Sequence, residues 1–528
     1  MPRLSLITRQ SSFITAFVLG AATVPGFAPF SFFPLPVLTL AILLRLWTRA
    51  ASARRAALTG FAYGLGFFLC GVSWVYVSLH DFGAMPLPLA ALATLLFCAF
   101  LALFPALAAA LVAASPVPAA SKLLLVAPAV WTLLEWMRGW IFTGFPWLAL
   151  GYSQVPASPL AGYAPVVGVY GVTLATVASA ALITTVWHAK DEGGRMKAEG
   201  SAKPANASPF ILHPSSFILP KLLHPSSFIL ALLWLGGWGL QQVTWTQPVG
   251  KPFTVSLIQG NVPQDLKWQP ERARATLENY RRLALASPGE LIVLPETALP
   301  LFLEHVPPGY FEDLAAHARK NSGDILIGVP ERQPGGRYYN SVVSIGRAET
   351  QFYRKSHLVP FGEFIPLRPL LGWLVSVLSI PMQDFSAGPL DARPLEVAGQ
   401  RVAVNICYED AFGEEIIRQL PHATLLANVS NVAWFGRSIA PGQHLQISQA
   451  RALETGRYML RATNTGVTAV VNPRGEVERQ AAEFTRAIVT HRVQGFAGTT
   501  PYVRWGNYAV LGLAAVMLIA AACRTPKL

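Results

Sequence analysis

Three residues of different chemistry each follow a short apolar run in the second half of the chain. Glu296 closes LIVLPE, Lys355 follows FYR, and Cys407 ends RVAVNIC. A residue at the end of a buried strand is held rigidly and can remain exposed, which suits a nucleophile. A carboxylate can take the proton of a thiol, and an ammonium can stabilise a thiolate or an oxyanion. Taken singly, each residue fits a salt bridge or a core thiol, but the three together predict acyl transfer.

The use of cysteine supports a free thiol at position 407. Cys70 and Cys98 fall within long apolar runs, and Cys523 ends the last of these runs. Cys407 is therefore the only cysteine in the polar part of the chain, which we expect to be exported. Disulfides form in exported compartments, and Cys407 has no intrachain partner there. An unpaired exported cysteine favours a reactive thiol.

Composition indicates a membrane protein. The chain has 528 residues, of which 52% are hydrophobic and 13% charged, and its mean hydropathy is +0.41. Such values are too apolar for a soluble protein, and the length exceeds one domain. Apolar runs predict eight membrane spans, near residues 12–29, 33–48, 57–79, 86–114, 122–139, 160–188, 225–243 and 506–523. The net charge of +13 suits anionic lipid. Nucleic acid is not an expected partner, because no long basic run carries interleaved aromatic residues.

Lysine and arginine predict the orientation of these spans. They cluster at the N-terminus, after the second span, before the fifth, after the sixth and in the C-terminal tail. The positive-inside rule then puts both termini in the cytoplasm and residues 246–500 outside. Residues 1–245 would hold seven spans, and residues 501–528 the eighth span with its tail. Within the fifth span, Glu135 and Arg138 predict either a polar link inside the bundle or a headgroup contact.

The segment 190–223 is predicted to be a cytoplasmic loop with an unusual duplication. HPSSFIL occurs at His213–Leu219 and again at His224–Leu230. Since no cysteine or acidic cluster lies near these histidines, they indicate a local duplication and no metal site.

From Phe253 onward, short strand-like runs alternate with helical stretches, which is typical of a layered α/β domain. Arg272–Ala286 and Gly309–Asn321 are predicted helices. Leu367–Ile380 is apolar apart from Arg368 and too short to cross a membrane. It would be a core helix in a soluble enzyme, but here it predicts an arm that dips into the outer leaflet.

The motifs LPET, YRKSHLVPFGE and NICYED, in this order, resemble the nitrilase superfamily. Together with SLIQGNVPQDLKW, WMRGWIFTGFPW and NVSNVAWFGRSIAPGQHL, they resemble the family of bacterial apolipoprotein N-acyltransferases over nearly the whole chain. This resemblance implies a polytopic helical bundle joined to an α-β-β-α sandwich, in the bacterial inner membrane with the sandwich in the periplasm. It also implies a phospholipid acyl donor, with phosphatidylethanolamine preferred, and a diacylglyceryl apolipoprotein acceptor. No cofactor or metal is expected, because transfer from ester through thioester to amide ends at the most stable acyl group, and we expect a monomer.

The resemblance also implies a role for each candidate residue. Glu296 would be the base, Lys355 the oxyanion-stabilising group and Cys407 the nucleophile, with Glu363 orienting Lys355. The remaining candidates would contact substrate or line the pocket: Trp147, Trp268, Tyr408, Glu409 and Trp434. Ordinary aromatic packing is the alternative for each tryptophan, and Trp147 also fits an interfacial belt. NVAWFG departs from the family pattern, which usually has Asp where Val432 stands.

Two other functions remain compatible with the residues. A membrane-tethered nitrilase-type amidase or lipid hydrolase would use the same trio, with the spans as an anchor. A transporter or scaffold would form no covalent species at Cys407, and the spans show no inverted repeat of the kind found in transporters. The eight spans, the apolar arm and WMRGWIFTGFPW favour lipid substrates.

Overall fold

The structure is a computed structural model that describes residues 2–200, 224–366, 369 and 384–524. The arm predicted at 367–380, Pro369 apart, and the first HPSSFIL copy lie outside these residues. The second copy begins a helix, and the His224 side chain caps it by accepting from the amide of Ser226. The groups of acidic, histidine and cysteine residues in the described ranges contain no arrangement suited to a metal ion.

The membrane part is helical. Its longer helices are α1 (Pro2–Thr23), α2 (Pro34–Thr48), α3 (Ala53–Val72), α4 (Leu87–Ala114), α5 (Ala127–Arg138), α6 (Ala164–Gly200, broken at Gly168) and α7 (Pro225–Gln241). Four helical stretches are long and apolar enough to cross a membrane, namely Ala53–Val72, Leu87–Ala114, Ala119–Arg138 and Pro159–His188. Shorter apolar helices cover Ser12–Gly26, Pro34–Thr48 and Tyr508–Ala522. The predicted membrane character is therefore confirmed, whereas the count of eight spans remains a prediction.

The first and third predicted spans differ from the observed helices. Helix α1 ends at Thr23, just before Pro25, because proline cannot donate to a helical ladder. Helix α3 ends at Val72 instead of near residue 79. The following residues turn toward the second half of the chain, where the Ser78 hydroxyl donates to the Trp434 carbonyl at 2.8 Å.

Residues 246–498 fold around two six-stranded sheets. The strands are β1 (Thr246–Gln259), β2 (Leu291–Val293), β3 (Asp324–Arg332), β4 (Tyr338–Gly346), β5 (Gln351–Arg354), β6 (Leu395–Val397), β7 (Gln400–Ile406), β8 (Leu425–Ser430), β9 (Met459–Thr463), β10 (Ala469–Val471), β11 (Val477–Gln480) and β12 (Ala487–Gly498). The first sheet has the order β12-β1-β2-β3-β4-β5 and the second β11-β10-β9-β8-β7-β6. The central strands β1, β2 and β3 run parallel, as do β7, β8 and β9.

The two sheets pack face to face, with helices on their outer faces. Side chains of both sheets share one core, in which Leu257 and Val293 meet Val404 and Val429. Helices α8 (Pro270–Leu285) and α9 (Tyr310–Lys320) cover the first sheet, close to their predicted bounds. Helix α10 (Ala440–Thr455) covers the second sheet. The layer order is therefore α-β-β-α, as the resemblance implied.

Helix α10 also joins the sandwich to the membrane bundle. Ile447 and Ala450 belong to the same buried cluster as the residues of α2, α3 and α5. Tyr408 and Phe412, from the turn after β7, belong to that cluster as well. Helix α11 (Tyr508–Ala522) then returns to the bundle, where it contacts α5. The turn that carries Cys407 consequently lies at the junction between the two parts.

Candidate active site

Cys407 lies at a strained turn directly after β7. Its φ of 55° falls in the left-handed region, which side chains other than glycine adopt rarely and at a cost in energy. The amide of Asn428, on the neighbouring strand, donates to the Cys407 carbonyl at 3.0 Å and so supports the turn. The thiol is free and partly exposed. This is the geometry expected of a nucleophile at a strand end.

Glu296 follows β2 at a second strained turn, because the next residue, Thr297, has a φ of 45°. Gly328 allows this turn to approach β3 closely, since a Cβ at that position would meet the Pro295 carbonyl at 2.3 Å. The Glu296 carboxylate is buried and accepts from the Asn340 amide at 2.7 Å. It also accepts from the backbone N–H of Asn431 at 2.8 Å.

Lys355 is buried between two carboxylates. Its Nζ lies 2.9 Å from Glu363 and 3.6 Å from Glu296. Asn340 links the two acids, because its Nδ2 also donates to Glu363 at 3.0 Å. The backbone of Lys355 is fixed by the carbonyl of Asn340 and by the N–H of Gly388, at 2.8 and 2.7 Å. The structure thus brings Glu296, Lys355 and Glu363 into one charged cluster.

The charges of this cluster act on the thiol of Cys407. Burial raises the pKa of Cys407, and the negative charge of Glu296 raises it further, whereas Lys355 lowers it. Burial would also raise the pKa of Glu296, but Lys355, the Asn340 amide and Lys267 bring it below its usual value. Burial would lower the pKa of Lys355, but Glu363 and Glu296 raise it. The resting site therefore holds a carboxylate, an ammonium and a neutral thiol.

Glu409 holds the Lys355 segment against the Cys407 turn. Its carboxylate accepts from the backbone N–H groups of Ile406, Ser356 and His357, at 2.7 to 3.0 Å. It also accepts from the hydroxyls of Ser356 and Tyr353, each at 2.9 Å. Both Glu409 oxygens are engaged in these bonds. Glu409 therefore links two strand ends of different sheets.

Tyr408 connects the same turn to the loop that follows α5. Its hydroxyl donates to the Gly144 carbonyl at 2.9 Å, and its ring stacks on Trp147 with centroids 6.4 Å apart. Trp147 is only 2% exposed, so the belt alternative for this residue is wrong. Its indole N–H donates to Gln443 on α10 at 2.8 Å. Trp147 thus joins the membrane part to helix α10 and to Tyr408, the residue after Cys407.

The pair Glu135 and Arg138 holds this loop inside the protein. Arg138 donates to the carbonyls of Phe145 and Trp147. Glu135 accepts from the backbone N–H of Leu150 at 3.0 Å. Both charged side chains are buried, which favours the predicted polar link within the bundle over a headgroup contact.

The other two predicted tryptophans are partly exposed. Trp268 follows the buried Lys267, whose ammonium lies 5.9 Å from the indole centroid. Trp434 meets Phe82 edge-on at 6.3 Å between centroids. Val432 is buried at the start of the same short turn. The polar contact of this segment comes from the backbone of Asn431, which binds Glu296.

Three residues that contact the Glu296 turn were not predicted, namely Lys267, Asn340 and Asn431. Asn340 lies inside β4, in a run that the sequence marks only as a strand. Asn431 acts through its backbone, which leaves no signal in residue type. The sequence does hold a signal for Lys267, because it is a charged residue inside the motif VPQDLKW.

A cavity of about 600 Å³ lies at the junction of the two parts. Its walls come from the end of α5, from the segment after Lys355 and from the turn after Cys407, and include Trp136, Trp140, His357, Phe412 and Glu415. The ring nitrogens of His357 contact the Glu415 carboxylate and the Thr143 carbonyl, each at 2.9 Å. The cavity therefore combines aromatic walls with a few polar groups, as ligand pockets commonly do.

Comparison with known proteins gives matches in both parts. The family model described as apolipoprotein N-acyltransferase N-terminal domain matches residues 19–182, and the carbon-nitrogen hydrolase model matches residues 254–502. The apolipoprotein N-acyltransferase of Nitrosomonas europaea is 54% identical over 508 residues, which cover 96% of each chain. The one of Chromobacterium violaceum is 44% identical over 96% of this chain and 93% of that protein. The one of Methylococcus capsulatus is 43% identical over 93% and 92%.

Proposed function

Because the chain belongs to the apolipoprotein N-acyltransferase family, we propose that it moves a fatty acyl chain from a phospholipid to the N-terminus of an apolipoprotein. The donor bond would be the sn-1 ester, and the carrier a thioester on Cys407. The acceptor would be the α-amino group of a diacylglyceryl-cysteine. Family membership confirms the resemblance inferred from the sequence, and with it the class of acyltransferases in the carbon-nitrogen hydrolase superfamily.

One observation carries the chemical part of this proposal. A buried carboxylate, a buried ammonium and a free thiol meet at the ends of strands β2, β5 and β7. Since the thiol is neutral at rest, Glu296 would remove its proton as sulfur attacks the ester carbonyl. The C–S bond forms, and Lys355 stabilises the negative charge on the carbonyl oxygen. The C–O bond then breaks, and Glu296 returns the proton to the leaving lyso-lipid.

The second half-reaction uses the same groups in the same order. The acceptor amine has a reference pKa of roughly 8, so most of it is protonated at neutral pH. After loss of that proton, the amine attacks the thioester, and Glu296 takes the second proton as the C–N bond forms. The C–S bond breaks, and Glu296 hands its proton to Cys407. The transfer starts from an ester and ends at an amide, which is the most stable of the three acyl groups, so no other energy source is required.

We assign residues 1–245 and 501–528 to the membrane part and residues 246–500 to a periplasmic catalytic domain. Support comes from the four long apolar helices, the three shorter ones and the basic loops between them. In this arrangement eight helices cross the inner membrane and both termini are cytoplasmic. The junction cavity would take the polar end of a lipid, with phosphatidylethanolamine as the preferred donor. Trp268 and Trp434 would line the entrance, and the enzyme would act as a monomer.

Intact-mass measurement of the purified protein in phospholipid micelles tests the proposal. The wild type should gain the mass of one fatty-acyl group, and Cys407→Ala should gain none. Addition of a diacylated lipopeptide should remove the acyl group from the wild type. Glu296→Gln should acquire the adduct far more slowly. An adduct that decays equally fast without lipopeptide would identify a lipid hydrolase. Absence of any adduct from the wild type would refute the covalent mechanism.

A further inference from the structure

Lys267 is a second buried ammonium beside Glu296 that the mechanism above does not use. It ends the short helix Gln264–Lys267 and is 1% exposed. Its Nζ donates to the Glu296 carbonyl at 3.2 Å and to the Thr297 hydroxyl at 2.6 Å. Among the described residues, no carboxylate lies within ion-pair distance of this nitrogen. Burial of a charge that bonds only to neutral acceptors costs free energy, which indicates that this charge has a functional role.

The two hydrogen bonds of Lys267 fall on the strained turn. Thr297 has a φ of 45°, and a β-branched residue is an outlier in that region. Such a conformation persists only where the surroundings hold it. Lys267 holds both residues of the turn, one by its carbonyl and the other by its hydroxyl. It therefore sets the direction in which the Glu296 carboxylate leaves the strand.

Lys267 also acts on the site through its charge. Its ammonium lowers the pKa of Glu296, after the larger effects of burial, Lys355 and the Asn340 amide. Burial lowers the pKa of Lys267 itself to about 8, although the charges of Glu296 and Cys407 raise it. Lys355 meets the same Glu296 carboxylate at 3.6 Å. Lys355 remains protonated in mild alkali, because its own pKa is raised, whereas Lys267 loses its charge there.

We propose that Lys267 is a positioning residue of the acyl transfer, whose ammonium fixes the Glu296–Thr297 turn and supplies a second positive charge to the base. This inference rests on the proposed function, because it assigns Glu296 as the base. Two changes of rate with pH follow. Activity falls in acid as Glu296 gains a proton, and it falls again in mild alkali as Lys267 loses its own.

The test follows the rate at which the full-length protein in phospholipid micelles gains its acyl adduct, from mildly acidic to alkaline pH. Lys267→Met removes the charge at similar length, and Lys267→Arg retains it. Lys251→Met, on an exposed part of β1, is the matched control and should behave as the wild type. Lys267→Met should be slower by about ten- to a hundredfold, a part of what loss of a general base costs. In the plot of its rate against pH, the fall on the acid side (the acid limb) should move to higher pH. The fall on the alkaline side (the alkaline limb) should disappear.

Lys267→Arg should keep the acid limb and move the alkaline limb to higher pH. An equal loss of rate at every pH in Lys267→Met, with unmoved midpoints, would reveal a structural role only and overturn the inference. A rate equal to that of the wild type would also overturn it. If the Met variant fails to fold, as judged by gel filtration and thermal unfolding in detergent, the Arg variant decides through its alkaline limb alone.

A separate readout distinguishes failure of this inference from failure of the proposed function. Alkylation of Cys407 by iodoacetamide needs no lipid, and its rate follows the fraction of thiolate. Without the positive charge of Lys267, Cys407 should alkylate more slowly than in the wild type at neutral pH, and the difference should vanish in mild alkali, where Lys267 of the wild type is itself uncharged. Absence of the acyl adduct from the wild type refutes the proposed function, and the alkylation curves then decide whether Lys267 acts on the site.

Discussion

The ammonium of Lys355 lies 2.9 Å from the carboxylate of Glu363. The other carboxylate, that of Glu296, is further away at 3.6 Å. Asn340 donates to both acids and keeps them on either side of the lysine. Lys355 therefore shares its charge between two carboxylates. Its charge lowers the pKa of Glu296 less than it would if Lys355 paired with Glu296 alone.

Glu363→Gln should weaken Glu296 as a base, because it removes the other carboxylate partner of Lys355. Lys355 would then pair with Glu296 alone, which would lower the pKa of Glu296 further below its usual value. The acyl adduct should form about ten- to a hundredfold more slowly, because the strength of a general base follows its pKa. The acid limb of the rate should move to lower pH, since Glu296 stays ionised further into acid. Measurement of adduct formation against pH checks both effects. Glu349→Gln, at an exposed position, is the control, and an acid limb that moves upward would contradict this account.

Glu296→Gln should separate the reactivity of the thiol from catalysis. The negative charge of Glu296 raises the pKa of Cys407, so removing that charge lowers it. Iodoacetamide should therefore alkylate Cys407 at lower pH in the variant than in the wild type. Acyl transfer should nevertheless fall by a factor on the order of 10² to 10⁴, because the general base is gone. Alkylation that shifts to higher pH in Glu296→Gln would contradict the assigned charges.

The sequence predicted the residues whose position follows from strand ends. Glu296, Lys355 and Cys407 each follow an apolar run that forms a strand, β2 and β5 in the first sheet and β7 in the second. Asn340 contacts Glu296 across 44 positions of sequence, and its run predicts only a buried strand. Asn431 contributes a backbone N–H across 135 positions, which no residue type reveals. Local pattern therefore predicted the proposed reacting groups but not the residues that contact them.

The membrane part was predicted less completely, for a related reason. Hydropathy located the long helices well, as for Leu87–Ala114. It could not show that α3 ends at Val72, because Ser78 bonds to the Trp434 carbonyl in the other half of the chain. The residue type of Trp147 fits an aromatic belt, but its side chain is buried, where it donates to Gln443 and stacks on Tyr408. Contacts between the two parts determine where α3 ends and why Trp147 is buried. A prediction from the local sequence of either part does not include such contacts.

Glu409→Ala should reduce stability more than it alters chemistry. The carboxylate accepts from backbone groups of Ile406, Ser356 and His357, which would lose their partner. Each buried donor left unsatisfied costs about 1–3 kcal/mol, so the thermal unfolding temperature in detergent should fall clearly. The fraction of protein that remains folded at low temperature should still form some acyl adduct. An unchanged unfolding temperature with complete loss of the adduct would instead assign Glu409 a direct part in the reaction.

Gln443→Leu should loosen the connection between the membrane part and the catalytic domain. The Gln443 carbonyl oxygen accepts from the indole N–H groups of Trp74 and Trp147, at 3.1 and 2.8 Å. Leucine would leave the Trp147 indole unsatisfied, at about 1–3 kcal/mol, whereas the Trp74 indole keeps its bond to the Gly71 carbonyl. Trp147→Phe removes one of these donors, so the double variant should be less destabilised than the sum of the two single variants. Thermal unfolding in detergent measures this coupling, with Gln247→Leu at an exposed position of β1 as the control. Strict additivity would mean that Gln443 does not join the two parts through Trp147.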